Sequence, residues 1–141
     1  MDYTYKYPRP AVTVDIIIIK NACEDAEILL IQRLNPPYQD QWAIPGGFVD
    51  MDETVEQAAE RELKEETGLS SIILNQFKTY STPDRDPRGR TISIVFVGIA
   101  PSDSKAIAGD DAKNVKWYKL KNLPKLAFDH ELILTEFQDS I

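Results

Sequence analysis

The stretch GFVDMDETVEQAAERELKEETGL, residues 47–69, decides the fold prediction for this chain of 141 residues. Its second part has helical spacing. Thr54 followed three residues later by Gln57 is typical of a capping box, and Gly68 is typical of a helix end. The pattern therefore predicts a helix over residues 54–67.

The predicted helix carries acidic side chains beside its apolar face. At about 100° per residue, Val55, Ala59 and Leu63 form one apolar stripe. Glu62 and Glu66 lie four residues apart, at the edge of that stripe. Like charges at this spacing repel each other, and buried carboxylates are costly unless they are paired or bound to a cation.

The charge pattern of this acidic edge leaves two interpretations open. Arg61 can neutralise Glu65 one turn further along the helix. Glu62 and Glu66 then have no cation supplied by the helix itself. Two such carboxylates suit Mg²⁺, which prefers oxygen ligands and keeps several waters. The alternative interpretation is a solvated acidic patch.

The remainder of the chain predicts a sheet and one further helix. Runs of β-branched and aromatic residues between turn signals are typical of strands. The predicted strands span residues 11–20, 28–33, 71–80, 91–100 and 114–120, with an extended stretch over 42–49 and a C-terminal helix over 128–137. A strand-rich chain with a central and a terminal helix predicts α/β or α+β layers, and composition does not choose between them.

Composition narrows the functional classes. With 43% hydrophobic and 28% charged residues, the chain is expected to be one globular domain spanning residues 1–141. A net charge of −7 argues against nucleic-acid binding, which needs a basic surface. Cys23 is the single cysteine. No signal pattern or membrane-length apolar run is present in the sequence, so a cytoplasmic protein without membrane contact is expected.

The spacing within residues 47–69 is more specific than the composition. It matches, at every position, the pattern G-x5-E-x7-R-E-U-x-E-E-x-G-U, in which U is a large aliphatic residue. On this pattern the chain resembles the Nudix hydrolases. The resemblance implies an α/β fold, an α/β/α sandwich with a mixed β-sheet and a metal-binding loop-helix-loop. It also implies water attack on the pyrophosphate of a nucleoside diphosphate linked to another group.

The resemblance assigns metal ligands by position. Glu62 and Glu66 correspond to the main ligands of a divalent cation, Mg²⁺ with Mn²⁺ as a substitute. Glu65 is expected to assist them, and the carbonyl of Gly46 is expected to be a further ligand.

Other residues of the motif are implied to hold the metal-binding loop in shape. Arg61 is expected to orient the carboxylates, and Glu53 to fix the loop through Arg61. Gly47 permits a close backbone approach, and Gly68 ends the helix.

An arginine-rich loop, PDRDPRGR over residues 83–90, suggests how a substrate is bound. It places Arg85, Arg88 and Arg90 within six residues of an acidic chain. Guanidinium groups match phosphate geometry, so contact with phosphate or ribose is expected from at least one of them. The alternative is a charged turn balanced by its own aspartates. The loop resembles the ADP-ribose pyrophosphatase branch of the family.

Further candidates lie outside the motif and the arginine-rich loop. Arg33 at a strand end is a candidate for phosphate contact, or simply an exposed charge. Aromatic residues that could stack on a nucleobase, or pack in the core, are Trp42, Tyr80 and Phe128. The candidates for the general base that activates water are Asp110 and Asp111, with Glu65 or Glu66 as alternatives. His130, at a helix start, is expected to be exposed.

These observations predict a Mg²⁺-dependent pyrophosphohydrolase that converts ADP-ribose to AMP and ribose 5-phosphate. Dimers are common in the branch that the chain resembles, so a homodimer is expected. One alternative is a nucleoside triphosphate pyrophosphohydrolase that removes oxidised nucleotides. Another is a non-catalytic ADP-ribose sensor, which the intact motif and the roughly twenty residues after position 120 disfavour.

Overall fold

The computed structural model of the chain describes residues 2–109 and 111–141. Seven strands and two helices are present in this part of the chain. Their bounds are β1 Ala11–Lys20, β2 Glu27–Arg33, β3 Trp42–Ala43, β4 Gly46–Phe48, α1 Val55–Thr67, β5 Asn75–Tyr80, β6 Thr91–Ile99, β7 Ala112–Lys119 and α2 His130–Asp139. The predicted strand over residues 71–80 begins later, at Asn75, and residues 71–74 are irregular.

The strands form one mixed sheet around β1. The strand order is β3-β2-β1-β6-β5, with β4 paired to β1 and β7 paired to β2. β1 runs parallel to β6 over residues 11–19 and antiparallel to β2 and β4. Because β4 pairs with β1 and is the element that precedes α1 in the chain, the start of the 47–69 motif is held at the centre of the sheet.

Side chains of β1 point alternately to the two faces of the sheet, and each face carries one helix. Ile16 and Ile18 pack in the same cluster as Leu63 of α1. Ile17 packs on the opposite face with Leu134 of α2. Each of these aliphatic side chains is at most 2% exposed, and burying one contributes about 1.5–3 kcal/mol. The predicted α/β/α sandwich is confirmed.

The ends of α1 are those that the sequence predicts. Gln57 N–H donates to Thr54 Oγ1 at 3.0 Å, and Thr54 N–H donates to Gln57 Oε1 at 2.9 Å. Gly68 ends the helix in the left-handed conformation, with φ of 76°. Since both ends are fixed, the acidic residues of α1 have a fixed position over the sheet.

The N-cap residue of α2 bonds to a side chain outside the helix. Asp129 occupies the N-cap position but makes no side-chain capping bond. Its carboxylate instead accepts two hydrogen bonds from the Arg85 guanidinium, at 2.7 and 2.9 Å. Neither described helix is long and apolar enough to cross a bilayer.

Candidate active site

The site is a cleft of ≈ 420 Å³ between α1 and the loops at one end of the sheet, a volume within the usual range for small-molecule sites. A smaller pocket of ≈ 80 Å³, here called the floor of the cleft, adjoins it, and both are lined by Arg33, Glu66 and Arg88. One side, here called the acidic wall, consists of Glu53, Arg61, Glu62, Glu65 and Glu66. The other side, here called the arginine wall, consists of Arg33, Phe48, Arg88 and Phe128.

Arg61 holds the acidic wall together. Its guanidinium donates to Glu53 at 2.6 Å, to Glu62 at 2.8 Å and to Glu65 at 3.1 Å. It also donates to the Phe48 carbonyl at 3.0 Å. The hydrogen bonds to Glu53 are the largest of the effects that raise the pKa of Arg61, and they lower the pKa of Glu53. The predicted contact between these two residues is present.

Glu62 and Glu66 are half-buried carboxylates, and among the described contacts Arg61 pairs with Glu62 but not with Glu66. Burial, followed by the charge of Glu62, raises the pKa of Glu66 to about 8. Burial also raises the pKa of Glu62, although the hydrogen bond from Arg61 opposes the shift. Glu66 Oε2 accepts one hydrogen bond, from Gly46 N–H at 3.2 Å. This edge of α1 therefore has unbalanced negative charge.

Gly47 lies directly against the Glu62 carboxylate. A Cβ atom at this position would lie 2.6 Å from Glu62 Oε2 and still closer to Oε1. Any larger residue would displace the carboxylate. The predicted close approach of the backbone at Gly47 is therefore observed.

The acidic wall fits a divalent cation that is completed by its substrate. Among the described residues, no three Asp, Glu, His or Cys side chains form a ready-made metal cage. Mg²⁺ is commonly held by one or two carboxylates together with waters and substrate phosphates. Glu62 and Glu66 supply those carboxylates: Arg61 pairs with Glu62, whereas burial and the charge of Glu62 raise the pKa of Glu66.

The arginine wall places two guanidinium groups around one aromatic ring. Arg33 and Arg88 lie 4.9 and 5.1 Å from the Phe128 ring centroid, and Arg88 lies 4.9 Å from that of Phe48. Cation–π contacts of this kind hold arginine side chains in place. Burial, and then the charge of Arg88, lowers the pKa of Arg33. Within the described part of the chain, no carboxylate lies within ion-pair distance of Arg33.

The three arginines of the 83–90 loop do not act as a group. Arg88 lines the cleft and pairs with Asp86 at 2.7 Å. The side chain of Arg85 is 4% exposed and pairs with Asp129 at 2.7 Å, and it also lines the floor of the cleft. Arg90 is exposed and donates to the Ser81 carbonyl at 2.7 Å. The alternative interpretation, a charged turn balanced by its own aspartates, therefore holds for Arg88 and Asp86. The position of Arg90 does not support contact with substrate.

The three aromatic candidates lie in different environments. Phe128 lines the floor of the cleft. Trp42 instead packs edge-on against Tyr118, with ring centroids 5.0 Å apart, beside the core. Tyr80 is 6% exposed and donates its hydroxyl to Glu136 at 2.6 Å. The position of Trp42 does not support the predicted stacking on substrate, because its ring faces the packed interior.

The candidate bases lie at the outer end of the acidic wall. Asp111 is exposed and lines an opening beside Glu65 and Glu66. Its charge contributes to the raised pKa of Glu66. The loop before it packs on the end of α1, where Gly109 N–H donates to the Glu66 carbonyl at 3.0 Å. Asp110, the other candidate, lies outside the described residues.

The floor of the cleft contains two polar residues that sequence reasoning missed. The prediction that His130 is exposed is wrong: it is 3% exposed and lines the cleft, because α2 packs its first residue against the sheet. Asp15 is 8% exposed and lines the same floor. A signal for Asp15 exists in the sequence, since it is a single carboxylate within the apolar strand AVTVDIIIIK.

Comparison with known proteins agrees with this geometry. Residues 9–137 match the family model described as the NUDIX domain. The chain belongs to the Nudix family. The membership predicted from residues 47–69 is confirmed, and the match extends over nearly the whole chain.

Individual Nudix relatives are similar over most of this chain. The ADP-ribose pyrophosphatase of Methanocaldococcus jannaschii is 52% identical over 93% of this chain and 75% of its own length. The ADPR responsive transcriptional repressor NtrR of Acinetobacter baylyi is 35% identical over 92% of this chain. This chain covers only 54% of the repressor's length. The NUDIX domain of Shewanella oneidensis NrtR, in a cocrystal structure with ADP ribose, has a TM-score of 0.86 and 29% identity, covering 99% of this chain and 94% of that one.

Proposed function

We propose that this chain is a Mg²⁺-dependent hydrolase that cleaves the pyrophosphate of ADP-ribose to give AMP and ribose 5-phosphate. The observation that carries the proposal is the cleft itself. Two carboxylates with little positive charge beside them, Glu62 and Glu66, line the same cleft as two guanidinium groups, those of Arg33 and Arg88. A cation held by the carboxylates and the two arginines would together neutralise a bridged pair of phosphates.

The roles of the chain's own residues follow from their positions. Glu62 and Glu66 would hold the cation, with Glu65 and the Gly46 carbonyl assisting. When bound, the cation supplies positive charge against the pyrophosphate oxygens. Arg61 keeps the carboxylates in position through its hydrogen bonds. On the opposite side, Arg33 and Arg88 would bind and orient the phosphates.

Hydrolysis requires a group that takes a proton from water. Asp111 is our candidate among the described residues, because it is exposed at the opening beside Glu65 and Glu66. The water oxygen would form a bond to one phosphorus while the bridging P–O bond breaks. One phosphate leaves with the bridging oxygen, and the other carries the oxygen from water. Glu65 is the alternative base.

ADP-ribose is favoured over a triphosphate by charge and by similarity. A triphosphate carries additional negative charge, which a chain of net charge −7 attracts less well. The archaeal relative is an ADP-ribose pyrophosphatase, and the NrtR domain was crystallised with ADP ribose. Both similarities support a pyrophosphate that joins adenosine to ribose.

A nucleotide panel with identified products tests this proposal. We expect kcat/KM for ADP-ribose to exceed that for any common dNTP by at least roughly tenfold, a difference of about 1.4 kcal/mol in transition-state binding. Faster turnover of 8-oxo-dGTP or another triphosphate would overturn the substrate proposal and leave the Nudix chemistry intact.

The similarity to the NtrR repressor favours a second candidate, a domain that binds ADP-ribose without cleaving it. The intact set of Glu53, Arg61, Glu62, Glu65 and Glu66 argues for catalysis. Measuring ADP-ribose binding and hydrolysis with and without Mg²⁺ separates the two. Tight binding with no turnover at saturating Mg²⁺ would establish the sensor.

A further inference from the structure

Two buried polar side chains meet at the floor of the cleft without bonding to each other. Asp15 comes from the central strand β1, and His130 is the first residue of α2. His130 Nε2 lies 3.7 Å from Asp15 Oδ1, which is longer than a hydrogen bond. Both residues line the floor of the cleft and both are more than nine-tenths buried. Among the described residues, the fully buried side-chain atoms without a hydrogen-bond partner are Gln41 Oε1 and Trp117 Nε1. His130 Nε2 and Asp15 Oδ1 therefore keep some access to the cleft and are open to a ligand.

The protonation of His130 is determined by its backbone neighbour. Ile44 N–H donates a hydrogen bond to His130 Nδ1 at 3.0 Å. Nδ1 is therefore the acceptor, and a neutral imidazole must carry its proton on Nε2. Burial lowers the pKa of His130, which keeps the ring neutral near pH 7. The cleft floor thus presents one N–H donor at Nε2.

Asp15 supplies the matching acceptor. Its Oδ2 accepts a hydrogen bond from the Ser93 hydroxyl at 2.5 Å, which fixes the carboxylate orientation. No described donor lies within hydrogen-bond distance of Oδ1. A Cβ atom on Gly46 would lie 2.5 Å from Oδ1, so this oxygen is adjacent to the Gly46 backbone. The neighbouring Gly46 N–H donates to Glu66, which places the pair next to the acidic wall.

We propose that His130 Nε2–H and Asp15 Oδ1 together bind one sugar hydroxyl of the substrate. A hydroxyl accepts one hydrogen bond and donates another, so a single oxygen satisfies both groups. An oxygen about 2.8 Å from each atom can bridge a gap of 3.7 Å. This inference rests on the proposed function, because it assumes a substrate with sugars beside its pyrophosphate.

The position of the pair favours a sugar over a nucleobase. The pair adjoins Gly46, whose N–H bonds to Glu66, so the bound group must be a close neighbour of the pyrophosphate. Ribose hydroxyls are separated from the phosphate by a few bonds, whereas a base edge lies beyond the sugar. The adenosine ribose and the terminal ribose of ADP-ribose share this chemistry.

A binding cycle between protein variants and deoxy substrates tests the proposal. Calorimetry in EDTA would measure the affinity of wild type and Asp15→Asn for ADP-ribose. Five analogues would be compared, each lacking one ribose hydroxyl: the 2- or 3-hydroxyl of the adenosine ribose, or the 1-, 2- or 3-hydroxyl of the terminal ribose. We expect wild type to lose roughly 10- to 100-fold in affinity for one analogue, as for a hydrogen bond to a charged group. Asp15→Asn should weaken ADP-ribose binding similarly and no longer discriminate against that analogue.

The position of the sensitive hydroxyl identifies which ribose is bound. His130→Gln provides a second variant, and thermal melting of both variants checks folding. Glu60→Gln, on the solvent face of α1, is the matched control and should discriminate as wild type does.

Two outcomes would overturn the proposal. If wild type binds all five analogues as tightly as ADP-ribose, the gap holds a water. If the folded variants discriminate as strongly as wild type, the pair does not touch the hydroxyl. Failure of the proposed function differs from both, because wild type would then neither bind ADP-ribose in EDTA nor cleave it at saturating Mg²⁺. If wild type cleaves ADP-ribose but does not bind it in EDTA, the same cycle is measured as kcat/KM at saturating Mg²⁺. If the panel selects another nucleotide, the cycle is run with that nucleotide and its deoxy analogues.

Discussion

The acidic wall and the arginine wall face the same cleft but are built differently. The acidic wall comes from fourteen consecutive positions, residues 53–66, and most of it is one helix. The arginine wall combines Arg33 at the end of β2, Phe48 in β4, Arg88 from a loop and Phe128 before α2. A wall made by one helix depends on spacing along the sequence. A wall made from four segments depends on how the sheet and loops pack.

The two walls also differ in electrostatic balance. In the acidic wall one guanidinium, that of Arg61, serves three carboxylates, and Glu66 is left with a pKa of about 8. In the arginine wall Arg88 has its own partner, Asp86, and the cations also contact aromatic rings. The acidic wall is therefore the part whose charge a cation must complete. We expect changes there to have larger effects on turnover.

The largest effect is expected from Glu66→Gln. The amide keeps the shape of the side chain but removes the charge needed by a metal ligand, so kcat should fall by several orders of magnitude. Glu60→Gln on the solvent face of α1 is the control and should retain activity. Steady-state kinetics at saturating Mg²⁺ check the prediction. Near-normal turnover of Glu66→Gln would remove this residue from the metal site.

A smaller loss is expected from Asp111→Asn. If Asp111 takes the proton from water, kcat should fall roughly 10²–10⁴-fold with little change in KM. Full turnover by this variant, by Asp110→Asn and by the double variant would assign the base elsewhere. Glu65 would then be the next candidate.

The arginine wall is tested by comparing Arg88→Ala with Arg90→Ala. Arg88 lines the cleft, so its loss should raise KM for ADP-ribose by roughly 10- to 100-fold, as for a lost charge-assisted hydrogen bond. Arg90 donates to the Ser81 carbonyl, so its loss should leave KM within about twofold of wild type. Equal losses from both variants would contradict the position of Arg90.

The smallest effect concerns the stability of the metal-free protein. In the folded chain the pKa of Glu66 is raised to about 8, so the folded state binds this proton more tightly than the unfolded chain, whose carboxyl has a pKa near 4.5. This group therefore stabilises the fold least at high pH, and stability should fall as pH rises from about 4.5 to 8.

Glu66→Gln removes this pH dependence. The variant should melt several degrees above wild type at pH 8 in EDTA, and the difference should shrink toward pH 5. Differential scanning calorimetry across this range checks the expectation. A difference in Tm that does not change with pH would show that Glu66 is not the titrating group.

The helix of the acidic wall could be predicted from sequence because its determinants are local. Thr54 and Gln57 form the predicted capping box, and Gly68 ends the helix as expected. The 3.6-residue period then fixes which carboxylates share one face. The contact between Glu53 and Arg61 was also predictable, since the family resemblance carries the pair as a unit.

The rest of the site could not be predicted, because its residues meet only when distant segments pack. Arg88 and Arg90 are two positions apart in the same loop, yet only Arg88 lines the cleft, since the direction of the chain at the turn separates them. Trp42 and Phe128 were equivalent candidates in the sequence, and packing assigned one to the interior and the other to the cleft.

By itself the sequence determined the family and the carboxylate face of α1, because both follow from spacing within one segment, and the resemblance to the family implied the α/β/α fold. Tertiary structure alone decided that Asp15 and His130, 115 positions apart, lie 3.7 Å from each other at the floor of the cleft. No periodicity links β1 to the first residue of α2. Their contact depends on the docking of α2 against the sheet, where Ile17 and Leu134 pack in one apolar cluster.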